Sequence, residues 1–229
     1  MESIQPSDSE EQSGETTAAD GVLTRFGGLP TAIGLFLALF LLPAIAASGL
    51  VEREIVGIAI KWIVALSVIV LVLLLEGESL VSIGIVKPRL SDLGWAGVVV
   101  VSVVGMFVAT GPIINALGLP TELSASMPSL AIGIASAITA GITEEILYRG
   151  YPIERLIDAE LGPLAAGGIT WLLFTVAHFG AGIPLGNFIQ VGLAGLIITT
   201  IYIHVRSLVP VMLGHVAVDT VGVLLFFFG

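Results

Sequence analysis

Cysteine is absent from all 229 residues, and lysine occurs only twice. Without cysteine there are no disulfides, thiolate nucleophiles or sulfur-ligated metal sites. Any chemistry must come from carboxylates, imidazoles, hydroxyls or a metal held by nitrogen and oxygen. Charge is scarce as well: 11% of the residues are Asp, Glu, Lys or Arg, against about 25% in soluble domains. With 56% hydrophobic residues and a mean hydropathy of +1.07, that scarcity excludes a soluble globule and indicates an integral membrane protein. Eight basic residues face eighteen acids, and no nucleic-acid partner is expected.

Part of the net charge of −10 is local. Glu2, Asp8, Glu10, Glu11, Glu15 and Asp20 fall within the first twenty residues, with no Lys or Arg. Such a polar stretch cannot bury enough apolar surface to fold. It also lacks the basic and apolar regions of a signal peptide, so a disordered acidic tail is expected over 1–28. The remainder reads as all-α, a polytopic transmembrane helix bundle of about seven spans. N-terminal helices occupy 29–128 and a core occupies 129–229, within one membrane domain.

Runs of ~20 mostly apolar residues place the spans near 30–50, 55–75, 94–116, 129–149, 162–180, 184–204 and 208–228. Pro152, in YRGYP, is expected to end the fourth helix near Tyr151, leaving 153–160 as a short interfacial helix. Lys61 is placed near enough to a helix end to snorkel. Arg25, Lys87, Arg89, Arg149, Arg155 and Arg206 fall on one side in this arrangement. That bias gives a multi-pass protein of the cell membrane with a cytoplasmic N-terminus and an external C-terminus.

Against this apolar background stands GITEEILYRG, residues 141–150. A charge near the bilayer interior costs at least ~2.5–3.5 kcal/mol, so such residues face polar cavities and serve function. Helical spacing pairs Glu145 with Arg149 and sets Glu144 above Tyr148. Glu144 is then the freer carboxylate and suits a general base acting on water. The bland alternative is a structural ion network. Further along, His178 follows Phe174 by one helical turn, and Asp219 follows His215 by one turn. A lone membrane histidine often does no more than bond a neighbouring helix, whereas an intramembrane aspartate is costly. His204, beside Arg206 at a predicted helix end, is expected at the interface.

Convergence of Glu144, His178, His215 and Asp219 would supply a water-activating carboxylate and imidazoles for an oxyanion or a proton. The same set suits one divalent metal such as zinc, with Glu144, His178 and His215 as ligands and Asp219 as a further one. Metal-bound and carboxylate-activated water both stay open. Straight helices rising ~1.5 Å per residue put these groups at different depths, so convergence requires tilted helices, broken helices or other boundaries.

EEILYRG, FTVAH and HVAVD, in that order on successive hydrophobic segments, resemble the EExxxR, FxxxH and HxxxN/D motifs of the CPBP (Abi) family. That family comprises type II CAAX prenyl endopeptidases and bacteriocin-processing relatives, which are intramembrane proteases. The resemblance implies a hydrolase acting in the lipid bilayer on a membrane-associated protein or peptide, a prenylated tail among the candidates. It implies Glu144 as catalytic base, Glu145 with Arg149 as its supporting pair, and Phe174 lining the cavity. His178 would contact water or substrate, His215 would be the second imidazole, and Asp219 the last polar member. The family has been described both as metalloproteases and as metal-free glutamate enzymes. Its prenyl-processing branch typically has Asn where this chain has Asp219. Asn donates a hydrogen bond to an oxyanion and ionised Asp does not, so Asp219 points to a metal-ligand or proton-holding role. Two other readings use the same residues: a non-catalytic immunity or binding protein whose polar core fixes packing, and a proton-coupled transporter. The lack of an obvious internal repeat counts against the transporter.

Overall fold

The computed structural model describes residues 28–49, 54–121, 129–179 and 184–229. Apart from Gly28, the tail expected over 1–28 lies outside them. Among the described residues seven long helices run in sequence: α1 (Leu29–Ala47), α2 (Glu54–Leu75), α3 (Leu90–Ala116), α4 (Leu130–Asp158), α5 (Pro163–Phe179), α6 (Leu185–Val205) and α7 (Leu208–Phe228), with a short 3-10 turn at Leu80–Ile83 between α2 and α3. No strand occurs among the described residues. Six helices are long and apolar enough to cross a bilayer, and α5, with 17 residues, is shorter. The chain is thus the expected polytopic helical bundle. Large apolar side chains such as Phe36, Leu74, Val101 and Phe228 point outward, as they can where lipid is the solvent and backbone bonds are closed within helices.

Local chemistry sets the helix starts. Asp92 accepts the Arg89 N–H at 2.7 Å ahead of α3, and Ser129 Oγ accepts the Ile132 N–H at 3.3 Å ahead of α4, as N-caps do. The expected stop near Tyr151 does not occur. α4 is α-helical over Leu130–Glu145, opens into a π turn over Ile146–Gly150, and returns to α-helix over Tyr151–Asp158. Proline lacks an N–H and its ring crowds the carbonyl four residues back. A π turn carries one extra residue, and the helix continues through Pro152. The same device precedes Pro43 in α1, after a π turn over Leu37–Leu41. The segment expected as a separate short helix over 153–160 is instead largely the end of α4, and Tyr151 through Leu156 are buried.

This continuity resolves the depth conflict. Glu144 lies midway along α4, ~21 Å from Leu130 and from Asp158. The chain descends that distance to Asp158, turns, and climbs ~22 Å of α5 from Pro163 to His178. His178 thereby returns to the level of Glu144. On the opposite side a Cβ on Gly150 would meet Leu208. From that shared level, about 9–10 Å of helix leads up α4 to Glu144 and up α7 to His215.

α7 packs against α4 and α3, α5 against α6, and α2 against α4. Small residues let these backbones approach closely. A Cβ on Gly141 would lie 2.7 Å from the backbone nitrogen of Val216, and one on Gly214 would lie 2.5 Å from Val99 Cβ.

Candidate active site

At the centre of α4, Glu145 and Arg149 are both fully buried and bonded, Arg149 Nη1 to Glu145 Oε1 at 2.9 Å. The i,i+4 pairing read from the sequence is present. Arg149 spends its remaining donors on α6: Nε on Thr199 Oγ1 at 3.2 Å and Nη2 on the Gly195 carbonyl at 3.3 Å. Its guanidinium lies 4.3 Å from the centre of the Phe174 ring, a cation–π contact that adds to the clamp. One arginine therefore ties α4 to α5 and α6.

The same carboxylate reaches α7. His215 Nδ1 donates to Glu145 Oε1 at 2.7 Å, and its Nε2 stands 3.5 Å from Asp219 Oδ2. Glu145 fixes the ring's orientation, and Asp219 faces the nitrogen left over. Glu145 Oε2 is buried with no hydrogen-bond partner, so the Oε1 cluster consumes its bonding.

Glu144 points elsewhere, into an open cavity of ≈ 250 Å³. α1 contributes Leu42, Pro43, Ile45 and Ala46 to its wall, while Glu144 and Tyr148 of α4 and His178 of α5 supply the polar side. His178 Nδ1 donates to the Phe174 carbonyl at 2.8 Å, which leaves Nε2 as the ring's free position. Its ring leans on Phe174 at 4.3 Å between centroids, and Phe174 meets Tyr148 edge-on at 5.2 Å. Phe174 thus lies between the buried Arg149 cluster and the cavity that His178 lines.

Lys61 differs from expectation. It does not snorkel to a helix end. Its Nζ donates to Glu144 Oε1 at 2.8 Å, and it lines the same cavity. Glu144, read from the sequence as the freer carboxylate, therefore has a cationic partner of its own. The available signal was depth, since Lys61 lies ~10 Å from the start of α2. Arg149, counted above among the residues that orient the bundle, is likewise an interior group.

Two further polar clusters were not anticipated. Arg155 binds Glu76 through Nε at 3.0 Å and Nη2 at 2.7 Å, and Glu76 Oε1 accepts from Thr31 and Tyr151, both at 2.8 Å. Glu76 lies just past the end of α2. Burial pushes its carboxyl up, but the bonds from Arg155, Thr31 and Tyr151 outweigh that and hold it below the usual carboxylate range. Nearby, Glu154 takes the Tyr202 hydroxyl at 2.6 Å and pairs with Arg206. Arg206 ends α6 in the left-handed conformation. His204 is exposed in the last turn of α6, with its ring against Trp95.

The structure thus brings Glu144, His178 and Lys61 to one cavity, and Glu145, Arg149, His215 and Asp219 into one cluster behind it. As arranged, Glu144, His178, His215 and Asp219 do not form a group fit to hold a metal. Among the described residues no three of His, Asp and Glu do.

No curated protein and no solved structure matches the chain. Residues 126–221 match the family described as Type II CAAX prenyl endopeptidase Rce1-like, a stretch holding every motif residue of both groups. Acid pair, phenylalanine–histidine turn and histidine–aspartate turn all lie inside that matched stretch, and over it the chain is similar to the CPBP/CAAX protease family.

Proposed function

We propose that the protein is an intramembrane endopeptidase that hydrolyses a peptide bond of a membrane-associated, prenylated protein or peptide by direct attack of water. The single observation that supports this best is the division of labour between adjacent carboxylates. Glu145 is sealed and held by two partners, whereas Glu144 opens on a cavity with His178 beside it.

Glu144 takes a proton from a water at the carboxylate oxygen that Lys61 leaves free. The hydroxyl oxygen bonds to the scissile carbonyl carbon, and the carbonyl π pair moves to its oxygen. His215, held by Glu145 and faced by Asp219, and His178 through Nε2 provide the imidazoles near the developing charge. Collapse breaks the C–N bond, and the proton on Glu144 passes to the departing amine, leaving a new carboxylate and a new amino group. Asp219 serves as proton holder for His215, the role to which its acidic side chain points. No serine nucleophile lies in this set, so no acyl-enzyme forms.

Lys87 and Arg89 follow the Glu76–Ser82 segment that Arg155 touches, and Arg206 lies beside Glu154. This shared basic end is taken as cytoplasmic.

The test is cleavage of an internally quenched peptide ending in a farnesylated CAAX sequence by purified protein in lipid nanodiscs, beside its unprenylated counterpart. Wild type is expected to cut, and Glu144→Gln to lose at least ~10²-fold of that rate while unfolding at the wild-type temperature. Retained cleavage in Glu144→Gln removes Glu144 from the mechanism. A wild type that cuts neither peptide refutes the reading.

A further inference from the structure

We propose that Lys61 is a positioning residue of the hydrolytic site, holding Glu144 as an oriented carboxylate through their 2.8 Å ion pair; this rests on the hydrolytic reading above. Lys61 stands on α2, outside residues 126–221, so nothing in the family match assigns it a role.

Comparison of the two acid–base pairs carries the inference. Glu145 and Arg149 have no exposed side-chain surface, as a pair that only fastens helices should be. Lys61 and Glu144 retain 34% and 9%, and both face the cavity. A structural ion pair gains nothing from bordering open space, where its charges are screened and worth little. A base and its holder must border the place where substrate comes.

The chemistry of the contact agrees. An ammonium has three donors, and the hydrogen bond to Glu144 uses one. That bond fixes Oε1 and limits rotation of a side chain that would otherwise swing. Lys61 from α2, His178 from α5 and Tyr148 from its own helix share the cavity wall with Glu144, His215 of α7 acts on it electrostatically from the cluster behind, and Asp219 and Glu54 act on Lys61. Among them Lys61 alone carries a fixed positive charge in direct contact with the carboxylate.

The experiment measures kcat/KM against pH for wild type, Lys61→Ala and Lys61→Arg on the same farnesylated peptide, with Glu144→Gln alongside. Lys61→Ala is expected to lose roughly 10²-fold in kcat, as misplacing a reacting group by about an ångström can do, with KM near wild type. The acid limb of its profile should move to higher pH, because the carboxylate loses its cation. Added methylamine should restore rate in a dose-dependent manner, and Lys61→Arg should keep the wild-type limb. Lys61→Met, which fills the same volume, carries the same readout if Lys61→Ala unfolds early. A wild-type profile in both Lys61→Ala and Lys61→Met, with no response to amine, overturns the inference and leaves the hydrolytic reading standing. Activity in Glu144→Gln overturns that reading instead, and a wild type without activity ends both.

Discussion

Replacing Arg149 with alanine leaves the fully buried Glu145 carboxylate with His215 as its remaining partner. Arg149 is fully buried, with bonds to Glu145, Thr199 and the Gly195 carbonyl and a face on Phe174. The hydrogen bonds to α6 are minor by comparison, since interhelical bonds in membranes average about 0.6 kcal/mol. Loss of the guanidinium from the buried carboxylate dominates: breaking a buried pair from one side costs about 3–5 kcal/mol. At 2–4 °C per kcal/mol for a chain of this size, Arg149→Ala should unfold roughly 6–20 °C below wild type. Glu145→Ala should do the same from the other side. Replacing both with apolar residues, Arg149→Met with Glu145→Leu, should recover most of the loss. The double variant should nonetheless stay inactive, because His215 has lost the carboxylate that sets its ring. Thermal unfolding followed by tryptophan fluorescence in detergent gives the stabilities, and peptide cleavage gives the activity. Single variants within two degrees of wild type would refute the energetic argument, and an active double variant would refute the role given to Glu145.

Gly141→Ala puts a methyl 2.5 Å from Val216 Cγ2 and should destabilise by about 1–3 kcal/mol through overpacking. Gly222→Ala, where nothing lies within 4 Å, should be neutral in the same unfolding measurement. Glu76 provides a pH signature. Its carboxyl is held low in the fold, so the stability it contributes is present above the ordinary carboxylate pKa of about 4.3. That stability is lost as pH falls through the folded value. Unfolding temperatures from pH 7 to 3 should therefore fall less steeply for Glu76→Gln than for wild type, starting from a lower value at pH 7. Parallel curves would show that Glu76 is not the group responsible.

Spacing made much of the site legible. Glu145–Arg149, Phe174–His178 and His215–Asp219 are all four apart, and helical geometry alone predicts that each couple shares a face. The reach of Arg149 to Thr199 and Gly195 was not legible, because nothing in a sequence says which face of α6 turns inward. Lys61 was missed through a rule that fits most membrane lysines, which run their stems to the interface. Here a carboxylate at the same depth offered a partner at no distance. Pro152 misled for a related reason. The stop rule assumes four-residue hydrogen bonding, and the chain escaped it by widening one turn. That widening also carried α4 down far enough for α5 to return His178 to Glu144. The convergence was therefore readable only in the residue types, not in their heights.

The wide turn at Ile146–Gly150 has a consequence for how the gene can change. A single-codon deletion there would remove the extra residue and let the segment wind as ordinary helix, leaving everything downstream close to its present rotation. Arg155 would still face Glu76, and Glu154 would still face Tyr202. In-frame loss of one residue at this spot should thus be less damaging to the fold than a deletion from the regular parts of α4, which would rotate everything downstream by about 100°, and deletion scanning by unfolding temperature would show the difference.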